Sequence, residues 1–140
     1  MKPVIDYTLY LVTDRDLMST ETLEQAVEAA CAGGVTLVQL REKHASRSEF
    51  VDLARRVKRV CDKHDIPLII NDEPEIAVEI GAAGVHVGQE DLEASHVREI
   101  VGPDAIVGVS AATVAEAQAA QRAGADYLGC LLYTSDAADD

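Results

Sequence analysis

The chain has 140 residues, enough for one domain with a real core, and its 25 acidic against 12 basic residues leave a net charge of −13. That balance argues against a nucleic-acid footprint, and no apolar run has the roughly 18 residues of a membrane span or the form of a signal peptide. With 48% hydrophobic but only 4% aromatic residues, the composition is that of helices packed on aliphatic strands.

The first strand is expected at YTLYLVTD (residues 7–14). TETLEQAVEAACAGG then sets Leu23, Ala26, Val27, Ala30 and Cys31 on one helical face, with Gly33 and Gly34 as its stop. VTLVQL (35–40) reads as the second strand. Ser46 and Glu49 make an S-x-x-E capping box for a helix carrying Phe50, Leu53, Ala54, Val57, Val60 and Cys61 at i, i+3, i+4 spacing. PLIIN (67–71) is a short apolar third strand, and Pro74 suits the first turn of a helix running to Ile80 before Gly81. GVHVG from Gly84 is the fourth strand; a short helix at 95–101 leads to the fifth, AIVGVS. Thr113 and Glu116 repeat the capping box before an alanine-rich helix ending at Gly124, and residues 126–129 begin a sixth strand. Cys31 and Cys61, on apolar helix faces, read as small buried hydrophobes of a reducing cytoplasm.

Strand–helix alternation with aliphatic strands implies a parallel sheet covered by helices. No GxGxxG or GxxxxGK[ST] follows the first strand, and polar residues gather at the C-terminal ends of several strands. Both features favour a TIM (β/α)8 barrel over an open doubly wound sheet, here as about six strands and five helices. The expected organisation is a partial barrel over residues 1–129 and a foreign tail, CLLYTSDAADD, over 130–140. The first ten residues of that tail match the translation of a common transposase sequencing adapter. A non-native segment is therefore expected there, with no function for Cys130, Tyr133, Thr134 or Ser135. A six-stranded open barrel would leave its outer strands unpaired, so the 140-residue polypeptide is expected to be inactive and poorly soluble.

Along VQLREK, alternation sends Gln39, Arg41 and Lys43 one way and Val38 and Leu40 toward the helix layer. Two cations and an amide at a barrel mouth suit a phosphate, although a solvated surface loop would read the same. Asn71-Asp72 ends the third strand, where Asp72 is either a helix cap or a ligand. Glu90 and Asp91 follow the fourth strand and Ser110 ends the fifth. Two such carboxylates beside basic residues match what Mg2+ bridging a diphosphate requires. His86, within the fourth strand, reads as a satisfied core residue, and no triad or zinc spacing is present.

In combination LYLVTDR, VQLREK, IIND, GVHVGQEDL, IVGVSAAT and AGADYLG resemble the thiamine-phosphate synthase (thiamine-phosphate pyrophosphorylase) family over residues 7–129. The resemblance implies coupling of hydroxymethylpyrimidine diphosphate to a thiazole phosphate or its carboxylate, giving thiamine phosphate and diphosphate. It also implies Mg2+ as cofactor and small molecules as partners, with neither nucleic acid nor membrane. By the same resemblance Gln39, Leu40, Arg41, Glu42, Lys43 and Asn71 fall in the pyrimidine-diphosphate segment. Asp72 and Asp91 fall on the metal ligands, and Ser110 on a residue that hydrogen-bonds the pyrimidine. No catalytic base stands out.

Three departures from the family pattern are visible. Glu73-Pro74 stands where a basic residue usually follows, and Ala111-Ala112-Thr113 replaces a common Ala-His-Thr. After Gly129 the family's glycine/proline-rich strand end and its Thr-rich, Lys-terminated phosphate loop are replaced by the tail. A thiazole tautomerase-like isomerase on the same barrel is the alternative; its members typically lack the second carboxylate, so Gly88-Gln89-Glu90-Asp91 favours the synthase.

Overall fold

The aliphatic runs and helical periods become six strands and five helices in strict alternation in the computed structural model, which describes residues 2–88 and 94–130. In order these are β1 (Tyr10–Val12), α1 (Leu23–Ala32), β2 (Leu37–Leu40), α2 (Arg47–Lys63), β3 (Leu68–Asn71) and α3 (Pro74–Ile80). They continue with β4 (Gly84–Val87), α4 (Ala94–Val101), β5 (Ile106–Ser110), α5 (Val114–Arg122) and β6 (Tyr127–Gly129). All six strands are parallel and pair in sequence order. A doubly wound sheet reverses its order at a switch point, whereas a (β/α) barrel does not. The architecture is thus that of a TIM-type barrel, open between β1 and β6.

Local chemistry sets the element ends. Thr22 and Gln25 form a reciprocal capping box on α1, as Ser46 and Glu49 do on α2. α3 has no side-chain cap; Pro74 opens it, and Gly81 at φ 72° closes it in the left-handed region that glycine enters without strain. The expected second box at α5 is only half formed. Thr113 accepts from the Glu116 N–H, but the Glu116 carboxylate takes the Ala112 N–H at 2.7 Å rather than that of Thr113. β1 is shorter than its apolar run. Asp6 Oδ1 accepts from the Thr8 N–H and Asp14 Oδ1 from the Asp16 N–H, each at 2.9 Å, and these side-chain turns bend the chain on both sides.

The period of two along each strand divides the apolar residues into two layers. Val38, Leu40, Leu68, Ile70, Val85, Val87, Val107 and Val109 face the helices, meeting Val27, Phe50, Leu53, Val57, Ile76 and Val97. Each such side chain contributes about 2 kcal/mol by leaving water. The opposite faces carry Leu37, Ile69 and Ile106, packed with Ile5, Tyr10, Ala83 and Tyr127 inside the curve of the sheet. Cys31 and Cys61 are buried in the helix layer, and burial pushes the Cys61 thiol up to about 12.

The end of the sheet away from the strand C-termini is fixed by Arg98 and Asp126. Arg98 donates to the carbonyls of Gly102 and Gly124 and to Asp126, whose carboxylate also accepts from the Val107 N–H and Lys2. Burial works to raise the Asp126 carboxyl, but Lys2, Val107 and Arg98 together hold it below its usual range. With that end tied, the strand C-termini remain as the place where polar side chains converge.

Candidate functional site

Six strands bring one polar side chain each to the inner face: Tyr10, Gln39, Asn71, His86, Ser110 and Tyr127. The register places Asn71 beside His86, and Ser110 beside Gly129. The six are joined by hydrogen bonds into one line. Asn71 Nδ2 donates to Gln39 Oε1 (2.9 Å), and Gln39 Nε2 to the Tyr10 hydroxyl (3.1 Å). The Tyr10 and Tyr127 hydroxyls then bond to each other across the gap between β1 and β6. The Tyr127 hydroxyl meets His86 Nδ1 at 2.9 Å, and His86 Nε2 meets Ser110 Oγ at 2.8 Å.

Glycines make room for this line. A Cβ on Gly108 would stand 2.0 Å from the Tyr127 ring, so the tyrosine can enter only over a glycine. Burial depresses His86 to about 4, so the ring is neutral near pH 7. Burial likewise raises Tyr127 and Tyr10, keeping both phenols protonated.

Lys43 sits at the open end of the line. Its ammonium lies 2.8 Å from Asp72 Oδ2 and 3.3 Å from Asn71 Oδ1. Asp72 holds a left-handed backbone, φ 65°, and its N–H donates to the His86 carbonyl at 2.8 Å. A non-glycine residue in that region carries about 1 kcal/mol or more of strain, of the kind that gathers at functional sites. Asp72 is not the helix cap: that position is Glu73, whose side chain makes no capping bond. The carboxylate is a hard oxygen donor, partly exposed beside a cation, and suits a divalent ion that also binds phosphate oxygens. Among the described residues no cluster of three or more His, Cys, Asp or Glu could hold a metal alone.

The rest of the VQLREK segment divides. Arg41 is exposed, its backbone N–H bonded to Thr13 Oγ1 at 3.0 Å, and its guanidinium makes no hydrogen bond or ion pair among the described residues. Leu40 is fully buried in the helix-side core, away from the polar line. Glu42 pairs with Arg15 at 3.0 Å and lines a separate cavity of about 410 Å³ with His44, Glu49, Asp52 and Arg56. Gln39, Lys43, Asn71, Asp72 and Ser110 are therefore joined through one hydrogen-bonded line, whereas the exposed Arg41 side chain stands outside it. Glu90 and Asp91 lie outside the described residues. His86 has partners on both ring nitrogens, as a satisfied core histidine should, and lies on the interior side of the sheet.

Sequence reasoning missed Tyr10 and Tyr127. The only available signal was their strand parity, since each alternates with residues of the helix side.

The family model described as thiamine monophosphate synthase matches residues 9–131. The thiamine-phosphate synthase of Clostridium beijerinckii is 62% identical over 129 residues, which cover 92% of this chain and 62% of that protein. The thiamine-phosphate synthase of Ruminiclostridium cellulolyticum is also 62% identical, with 92% and 61% covered. The chain thus spans about three-fifths of the length of these curated relatives. Among solved structures, a thiamine phosphate pyrophosphorylase from Pyrococcus furiosus superposes with a TM-score of 0.80 at 33% identity, covering 87% of this chain and 58% of that one. No described helix is long and apolar enough to cross a membrane.

Proposed function

The chain belongs to the thiamine monophosphate synthase family, and from that premise we propose that it carries the pyrimidine-diphosphate half of a thiamine-phosphate synthase site. The observation that carries this reading is the meeting of Lys43, Asn71 and Asp72 at the Asn71 end of the polar line. One end of such a site is charged and suits a diphosphate; the other is neutral, polar and partly buried, and suits a flat heteroaromatic ring. The substrates are small molecules, and the setting is the cytoplasm.

In the proposed reaction the bond from the pyrimidine methylene carbon to the diphosphate oxygen breaks, and the oxygen keeps the electron pair. Lys43 and Arg41 stabilise the charge that gathers there, and both are long enough to follow the departing group. The electron-rich aminopyrimidine carries the positive charge left on the methylene carbon. Gln39, Asn71 and Ser110 orient that ring. The thiazole nitrogen then gives its lone pair to the carbon, closing the new C–N bond. No strong base is needed, which agrees with an interior where His86 and both tyrosines are neutral hydrogen-bonding groups. Asp72, with Asp91 as the proposed second ligand, would hold Mg2+, which would supply positive charge to stabilise the leaving diphosphate. Asp72 also gives Lys43 its present partner, so a bound diphosphate would exchange that ion pair for one to phosphate. Leu40 and Glu42 contribute to the segment through the backbone that connects Gln39, Arg41 and Lys43.

The test is diphosphate release from the two substrates by a chimera in which residues 130 onward are those of the C. beijerinckii relative. Release that requires Mg2+ and falls at least a hundredfold in Asp72→Ala is expected. Isomerisation of a thiazole carboxylate with no diphosphate release would favour the tautomerase alternative instead.

A further inference from the structure

β1 and β2 separate differently from the other strand pairs, at the end that carries residues 41–43. Their register sets Val12 beside Gln39, and the Thr13 N–H donates to the Gln39 carbonyl at 3.0 Å. In a parallel ladder the next rung runs from two residues further along the neighbour, here the Arg41 N–H, back to the Thr13 carbonyl. The equivalent step is taken by a backbone carbonyl where β3 meets β4, from Asp72 to His86, and where β5 meets β6, from Ala111 to Gly129, each at 2.8 Å. At β2 a side chain takes it. The Arg41 N–H donates to Thr13 Oγ1 at 3.0 Å, and the Thr13 hydroxyl reaches the Arg41 carbonyl at 3.4 Å. The β1 chain turns away just there, as the Asp14 carbonyl accepts from the Leu17 N–H and the Asp14 carboxylate from that of Asp16. Thr13 is only 3% exposed, and its branched Cβ restricts the hydroxyl to few rotamers.

We propose that Thr13 is a positioning residue for the 41–43 segment: its hydroxyl takes the rung that a backbone carbonyl would otherwise supply, and so holds the chain beyond β2 in place after β1 has left the sheet. Arg15, two residues on, holds the same segment through its middle residue, with Nε 3.0 and 3.3 Å from the two Glu42 carboxylate oxygens. Glu42 is drawn to Arg15, while Lys43 is directed at Asn71 and Asp72. The Arg15 side chain is about half exposed, so that ion pair contributes less than the buried hydroxyl. Where the pyrimidine-diphosphate reading holds, on which this last step rests, the segment is already ordered when the anion arrives. Binding then loses less to the ordering of a loop. Replacing the hydroxyl by a methyl group would leave the Arg41 N–H facing carbon, with no room for a water in its place.

Amide hydrogen exchange and steady-state kinetics, both on the chimera that carries the C. beijerinckii residues from 130 onward, test this together. Thr13→Val keeps the shape of the side chain and removes the hydroxyl. The Arg41 amide should then exchange about tenfold faster, with the amides of Ile70 and Val107 unchanged. Unchanged exchange at Arg41 overturns the proposal. The KM for hydroxymethylpyrimidine diphosphate should rise about tenfold while that for the thiazole phosphate stays the same. Thr13→Ser, which restores the hydroxyl, should return that KM to within about twofold of the parent. An equal loss toward both substrates, or a serine no better than the valine, would mark Thr13 as merely structural and overturn the proposal. Should Thr13→Val not fold, Thr13→Ala removes the same hydroxyl with no methyl group set against the Arg41 N–H, and the same outcomes apply. The exchange measurement needs no substrate. A parent chimera that releases no diphosphate would therefore count against the functional reading alone, and the Arg41 amide would still decide the role of Thr13.

Discussion

Gly108 decides where Tyr127 can stand. An added Cβ would meet the Tyr127 ring at 2.0 Å, far inside contact distance, so Gly108→Ala must push the phenol away from Tyr10 and His86. A loss of about 2 kcal/mol in unfolding free energy is expected, from overpacking and broken hydrogen bonds. Chemical denaturation checks it, and the same substitution made in a Tyr127→Ala background should cost much less if the clash is the cause. At this scale Gln39, Lys43 and Asn71 were legible from strand alternation and from their polar character at strand ends. Tyr10 and Tyr127 were not, because they are 117 residues apart and nothing in a linear pattern says which two rings meet.

Helix starts were the most legible elements, because a cap is a local contact written within four residues. Ser46 accepts from the Glu49 N–H while Glu49 accepts from that of Ser46. Ser46→Ala should therefore lower stability by about 1 kcal/mol, seen as a lower denaturant midpoint with an unchanged slope. The Thr113 box looks the same in sequence yet forms by half, since the Glu116 carboxylate can reach the Ala112 N–H instead. That choice depends on the backbone approaching the helix, which the motif does not specify. β1 shortened for a similar reason, with Asp6 and Asp14 diverting the ends of a run that is apolar enough to continue.

The strand order of the whole molecule followed from alternation and aliphatic strands, because parallel neighbours joined by helices leave few arrangements. The interior line did not, since it exists only once six strands are set side by side. Its neutrality has a consequence for the whole fold. Above the ordinary histidine value of 6.5, His86 is uncharged in both folded and unfolded chains and has no pH effect. As pH falls below 6.5 the unfolded chain takes up a proton that the folded chain refuses until about 4, so stability declines across that window. The decline attributable to His86 is about 3 kcal/mol by pH 4. Denaturation midpoints between pH 7 and pH 4 should show it, and His86→Gln should flatten the slope.

The central claim is that Lys43, Asn71 and Asp72, at the Asn71 end of the polar line, form a diphosphate-and-metal mouth beside a pyrimidine site. Calorimetric titration of hydroxymethylpyrimidine diphosphate into the chimera that carries the C. beijerinckii residues from 130 onward, with Mg2+ and again with EDTA, measures this directly. The account predicts saturable binding with Mg2+ that weakens at least tenfold in EDTA, in Asp72→Ala and in Lys43→Met. No saturable binding, or binding indifferent to the metal and to both substitutions, would contradict it.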